Sequence, residues 1–194
     1  GIRRRSKDST ESLPTQANVA ARVRSFCEVR RGLARDLAFR EGSRLSDEAE
    51  AFFDAIDAGD SIRATSIYVG LAAQRHGTAP TPSQIAAWPA VADAFGVLNA
   101  AASWPANELL AFADSVLGAL APGTVYLSGT TFGQSIPALL ASAESSGVLV
   151  LGPESLSDPA SLAYLKLAYP AQFGTLRTEE IAQFVATEIG RAHV

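Results

Sequence analysis

The chain has 194 residues, of which 47% are hydrophobic and 19% are charged, a composition that excludes a disordered protein. Cys27 is the only cysteine, which excludes an internal disulfide, and the two histidines, His76 and His193, are too far apart in sequence to indicate a metal site. No uninterrupted apolar run reaches the roughly 18 to 20 residues that a membrane-spanning helix needs.

Charge is distributed unevenly along the chain. Residues 1–44 contain eleven Lys and Arg against five Asp and Glu, a net charge of +6, whereas the rest contains five basic and fifteen acidic residues, a net charge of −10. A basic end of this kind either docks on the acidic part of its own chain or contacts an anionic membrane surface or another protein. Nucleic acid is not expected as a partner, because the acidic part would repel phosphates and no aromatic residues interleave the arginines.

In chain order, residues 1–15 are predicted to be a basic tail, and residues 16–77 a helical arm followed by a helical hairpin. Thr15 is a plausible cap for the arm, which ends near Arg40. Its apolar residues alternate in steps of three and four, and Arg30 occupies a position where this stripe predicts an apolar side chain. The outer face of the arm is rich in arginine, which predicts an amphipathic helix that packs on a core or on a partner.

The hairpin is predicted from two helix starts. Ser46 precedes a first turn with two acidic residues, and Asp60 begins a second helix that ends near Arg75. The sequence AIDAGDSIRATSIYVGL resembles half of a tetratricopeptide-type hairpin. Because such repeats need about three copies to bury a continuous core and only one is present, the hairpin is interpreted as a packing unit.

Residues 78–194 are predicted to form a small α/β domain. An alanine-rich helix begins with the capping-box spacing of Thr81 and Gln84, and another begins near Pro105. The remaining elements are a strand at 124–128, a helix to about 145, a strand at 147–152, and helices that begin at 158 and 178. This order predicts a small Rossmann-like unit with few parallel strands, which a third element or another chain would complete. The fold class is therefore helix-rich α/β.

A glycine-containing loop follows the first predicted strand and precedes a helix, the place where open α/β sheets bind ligands. It is neither a P-loop nor a dinucleotide fingerprint, because the spacing differs and the lysine is absent. The sequence predicts that a phosphate or a sugar would contact its backbone amides and hydroxyls, through Gly129, Thr130, Thr131, Gly133, Gln134 and Ser135.

An uncharacterised bacterial α/β domain of verrucomicrobial and planctomycete-type proteins resembles residues 88–190. The resemblance is carried by the segments APGTVYLSGTTFGQSIPALL, VLVLGPESLSDPASLAYLKLAYP and LRTEEIAQFVATEI. In that domain the strand ends in a Gly-Gly-Thr-Asp-x-Gly-Arg loop. Thr131 and Gln134 stand here in place of Asp and Arg, so the resemblance implies that an activity of that loop is lost or altered. The layout is also similar to a soluble domain of multi-spanning membrane proteins that carries Gly-Asp-x-Asp-Thr after its strand.

No catalytic residues, cofactor or metal are predicted. The loop hydroxyls lack a nearby histidine base, and Glu154 alone does not make an acid–base pair. Cys27 is interpreted as a structural thiol. The absence of methionine indicates a processed or partial chain, so that a signal or an anchor before Gly1 is an open alternative. A membrane-associated or cytoplasmic location is favoured, and a periplasmic one follows if such a segment was removed.

The sequence therefore predicts a non-catalytic accessory or scaffolding subunit of a larger complex that binds its partners through the basic amphipathic arm, with membrane association of that complex as an open alternative. Its partners would be other protein subunits, with an anionic membrane surface as a further possibility. The contacting residues would be the basic side chains of the tail and arm: Arg3, Arg4, Arg5, Lys7, Arg22, Arg24, Arg31 and Arg35. The alternative is a domain that binds or transforms a small phosphate or sugar ligand through loop 129–135.

Overall fold

The computed structural model describes residues 12–77, 79–144, 147–152, 155, 159–173, 179–180 and 183. This part of the chain is helix-rich α/β, with eight helices and one sheet of two parallel strands. The elements are α1 (Ser12–Arg40), α2 (Asp47–Asp57), α3 (Ser61–Arg75), α4 (Pro82–Ser103), α5 (Ala106–Gly118), β1 (Val125–Leu127), α6 (Thr131–Glu144), β2 (Leu149–Leu151), α7 (Pro159–Ala168) and α8 (Pro170–Phe173).

Three of the predicted helix starts in the first half of the chain are confirmed by their hydrogen bonds. The side chain of Ser46 accepts a bond from the amide of Ala49, and Asp60 caps α3 through the amide of Arg63. Thr81 and Gln84 form the reciprocal bonds of a capping box at the start of α4. Each of these caps satisfies amides that the first turn of a helix leaves without a partner.

Helix α1 begins at Ser12, three residues before the cap predicted at Thr15, so the last residues of the predicted tail are helical. Pro14 does not prevent this, because a proline in the first helical turn removes no hydrogen bond from the helix. The predicted end at Arg40 is confirmed. Gly42, which follows, has a φ of +76°, a left-handed conformation that favours glycine after a helix.

Helix α4 lies at the centre of the molecule and contacts α1, α3, α5, α6 and α7. By length and composition alone it is apolar enough to cross a membrane. The sequence reading did not predict this, because it considered only uninterrupted apolar runs. Its alanines and Gly96 allow close packing. A Cβ at Gly96 would come within 2.5 Å of the Ser135 hydroxyl, so this glycine lets α4 and α6 cross closely.

Strands β1 and β2 pair in parallel register, with Val125 opposite Leu149 and Leu127 opposite Leu151, and α6 forms the crossover. The main core includes buried residues from α1 through α7, so that helices on both sides of the predicted domain boundary at 77/78 share it. A second, smaller core is formed by Leu149, Leu151, Leu162, Leu165 and Phe173. The helix predicted to begin at Asp158-Pro159 is confirmed as α7, which begins at Pro159. Residue 178, where the last helix is predicted to begin, lies outside the described residues.

Candidate functional site

The loop after β1 is closed by its own hydrogen bonds. The Ser128 hydroxyl donates to the carbonyl oxygen of Thr130 at 2.9 Å and accepts from the Thr130 amide at 3.2 Å. The amide of Gly133 donates to the Thr130 hydroxyl at 3.1 Å, an N-cap interaction for α6. A Cβ at Gly133 would overlap the hydroxyls of Ser128 and Thr130, so packing inside the loop is sufficient to explain this glycine.

The six predicted ligand residues therefore fall into two groups. Ser135 is 3% exposed and faces Gly96 of α4, and the side-chain amide of Gln134 lies against Gly152 at the end of β2, where a Cβ would overlap it. Gly133 packs beneath the loop hydroxyls. Only Gly129, Thr130 and Thr131 are exposed. Of the six predicted ligand residues, only these three are open to contact by a ligand, and none of them carries a charge.

No cluster of three His, Cys, Asp or Glu that could hold a metal occurs among the described residues. Burial raises the pKa of Cys27 to about 12, so its thiol is protonated at neutral pH. Glu154, the carboxylate expected near the loop, lies outside the described residues, as does His193.

A buried polar cluster, which the sequence indicated only through the odd position of Arg30, joins α1, α4 and α7. Nε of Arg30 donates to Oδ2 of Asp93 at 2.9 Å, and the Tyr164 hydroxyl donates to the same oxygen at 2.5 Å. Nη2 of Arg30 lies 3.4 Å from the Tyr169 hydroxyl, and its guanidinium carbon lies 3.9 Å from the centre of the Phe26 ring. Arg30 is 4% exposed and the Asp93 side chain 10% exposed, so the cluster is a largely buried ion pair between helices.

The ionisation of the cluster is fixed by its contacts. Burial disfavours the charged form of Arg30, but the negative charge of Asp93 and the hydrogen bond to it outweigh this effect, and the pKa of Arg30 is raised. Burial is the main reason that the pKa of Tyr164 lies well above its usual value, and it also raises the pKa of Tyr169. The arginine is therefore charged and both phenols are neutral across the physiological pH range.

Two of the predicted contact arginines are engaged by carboxylates of α2. Arg31 forms ion pairs with Glu50, Asp54 and Asp57 at 2.6–3.1 Å, and Arg35 contacts Glu50 at 2.7 Å. This half of α1 docks on acidic residues of its own chain, the first alternative that the charge distribution allowed. Arg31 and Arg35 thus help to hold α2, the first helix of the hairpin, against α1.

The other predicted contact residues differ from this pair. Nε of Arg22 donates to the side-chain oxygen of Asn18, one turn earlier in α1. Arg24 is exposed, and no carboxylate within the described residues pairs with it. Arg3, Arg4, Arg5 and Lys7 lie outside the described residues.

Arg24 lies at the edge of a cleft between the first half of α1, the α2–α3 turn and the α4–α5 junction. This feature, the α1–α4 cleft, has a volume of about 390 Å³ and is lined mainly by apolar side chains. Its principal lining residues are Val19, Val23, Ile56, Leu98 and Trp104, with Arg24 beside them. The sequence did not indicate this cleft, because its walls come from five separate helices.

No protein-family model matches the chain, and neither the curated proteins nor the solved structures give a match. The resemblance to the bacterial α/β domain stays a prediction.

Proposed function

We propose that this protein is a non-catalytic accessory or scaffolding subunit that binds another protein subunit through the first half of α1. The observation that carries the proposal is the division of the arginines in α1. Arg30, Arg31 and Arg35 have carboxylate partners within the chain, whereas Arg24 is exposed beside an apolar cleft. An apolar patch with a cation at its rim is a common composition for a protein interface.

The chemistry of the glycine loop supports a non-catalytic role. The hydroxyls of Ser128 and Thr130 are used to close the loop, and its exposed residues, Gly129, Thr130 and Thr131, include no general acid or base. The only cysteine is buried with a raised pKa. These features favour binding over turnover.

Site-specific photo-crosslinking in the source cells tests the proposal. A photoreactive residue at position 24 is expected to give a discrete adduct with a partner subunit, and the same residue at position 63 is the matched control. Both positions hold exposed arginines on helices, but Arg63 lies outside the cleft. The same set of adducts at both positions, or none at position 24, would contradict the proposal.

Ligand binding at the loop is the second candidate, because of the loop's position. It follows a parallel strand and precedes the N-terminus of the fourteen-residue helix α6, as in Rossmann-like folds. We propose that β1–α6–β2 is a reduced unit of that kind. A thermal shift with inorganic phosphate or sugar phosphates tests the site, and Thr131→Glu, an exposed substitution that repels anions, is the control. No shift with any of these ligands would exclude this candidate.

A further inference from the structure

We infer that the α1–α4 cleft binds an acidic amphipathic segment of a partner protein, which places apolar side chains in the cleft and a carboxylate against Arg24. The inference rests on the proposed function and adds the chemistry of the partner. The cleft volume of about 390 Å³ is within the range that accommodates a large side chain or a short peptide anchor. Val19, Val23 and Leu98, which line the cleft, are also part of the buried core.

The charges around the cleft favour an acidic occupant. No Asp or Glu is among the lining residues, and the polar ones are Gln16, Ser61 and Arg24. The carboxylates that flank the α2–α3 turn are used elsewhere, since Asp57 pairs with Arg31 and Asp60 caps α3. A carboxylate of the partner would therefore meet the exposed guanidinium of Arg24 without a competing acid among the lining residues.

The shape of the site favours a protein segment over a lipid surface. A membrane-binding helix needs apolar side chains that protrude from the protein surface among the basic ones. Here the apolar residues Val19, Val23 and Leu98 are buried and line a cleft together with Arg24, so they do not protrude from the surface. A side chain carried by a helix or an extended segment can enter this concavity, whereas a bilayer surface cannot.

Binding of three synthetic helical peptides to the full chain tests the inference. The peptides share one stripe of leucine and tryptophan and carry glutamate, glutamine or lysine elsewhere. Two substitutions perturb the cleft: Ala102→Trp fills it, and Arg24→Glu reverses its charge. Their matched controls are Ala73→Trp and Arg63→Glu. All four positions are exposed and helical, but only Ala102 and Arg24 line the cleft.

The glutamate peptide should bind most tightly in a fluorescence anisotropy titration. Ala102→Trp should weaken it about tenfold or more, as expected for blocking an interface anchor. Arg24→Glu should weaken it about threefold to tenfold, remove its salt dependence and favour the lysine peptide. The two control variants should bind like the wild type.

Three results would overturn the inference. The first is equal binding of the three peptides or no effect of Ala102→Trp. The second is tighter peptide binding after residues 1–11 are removed, since the chain's own N-terminal segment would then be the occupant. The third is binding to phosphatidylserine vesicles that Ala102→Trp abolishes. A discrete adduct at position 24 without peptide discrimination would remove this inference and leave the proposed function standing.

Discussion

The substitution Asp93→Asn measures how much the negative charge of the Asp93 carboxylate contributes to the free energy of unfolding. Asparagine has nearly the same size and can still accept the hydrogen bond from Tyr164. It leaves the guanidinium of Arg30, whose side chain is 5% exposed, without the negative charge that now lies 2.9 Å from its Nε. Water can solvate a charge in this position only weakly, because so little of the side chain is exposed.

The expected loss is about 3 to 5 kcal/mol, the usual cost of breaking a buried ion pair by removal of one partner. Domains are stable by about 5 to 15 kcal/mol, so this is a large fraction of the total. For a chain of this size the melting temperature should fall by roughly 6 to 20 °C. Adding Arg30→Met in the Asp93→Asn background removes the orphaned charge and should recover at least half of the loss.

Urea denaturation followed by far-UV circular dichroism measures these differences. Asp114→Asn is the matched control, since Asp114 is exposed on α5, and it should change the free energy of unfolding by about 0.5 kcal/mol or less. If Asp93→Asn lies within about 1 kcal/mol of the wild type, or if Arg30→Met destabilises it further, then Asp93 does not compensate Arg30 and the reasoning is refuted.

Three further predictions concern the arm, the loop and the thiol. Glu50 has a pKa below its ordinary 4.5, chiefly through the hydrogen bond from Arg35, so its stabilisation is present above that value and is lost as the pH falls through the lower, folded-state pKa. The acid-induced fall in urea midpoint should therefore be smaller in Glu50→Gln. Gly133→Ala should cost about 1 to 3 kcal/mol, because the new methyl group overlaps two hydroxyls, whereas Gly129→Ala, with open space around it, should cost under about 1 kcal/mol in the same measurement. Cys27, with a pKa of about 12, should resist iodoacetamide at pH 8 in the native protein and react once urea unfolds it; rapid native labelling would show that the thiol is accessible.

Local features of this protein were predictable because they depend on neighbours within a few residues. The caps at Ser46, Asp60 and Thr81 each join a side chain to an amide three positions later. The end of α1 near Gly42 has the same local origin. The alternation of short apolar runs with amphipathic helices also predicted the β1–α6–β2 order and its parallel pairing.

The candidate site was predicted less completely, because sequence neighbours do not tell which side chains a loop faces. Gly133, Gln134 and Ser135 have the composition of a ligand loop, yet their nearest contacts are loop hydroxyls, Gly152 and Gly96. The arginine count of the arm likewise said nothing about individual partners. Arg31 and Arg24 are seven residues apart, but only the first faces the acidic residues of α2.

The amino-acid sequence by itself determined the longer helices, both strands and the sign of the charge at each end, since these follow from short-range hydrogen bonding and from composition. It did not indicate the four-residue helix α8. Only the tertiary structure decided that Arg30 meets a carboxylate 63 residues away and that residues of five helices enclose one cleft beside Arg24. Such pairings depend on how the helices cross, which is settled when the apolar faces pack together and not by any one segment.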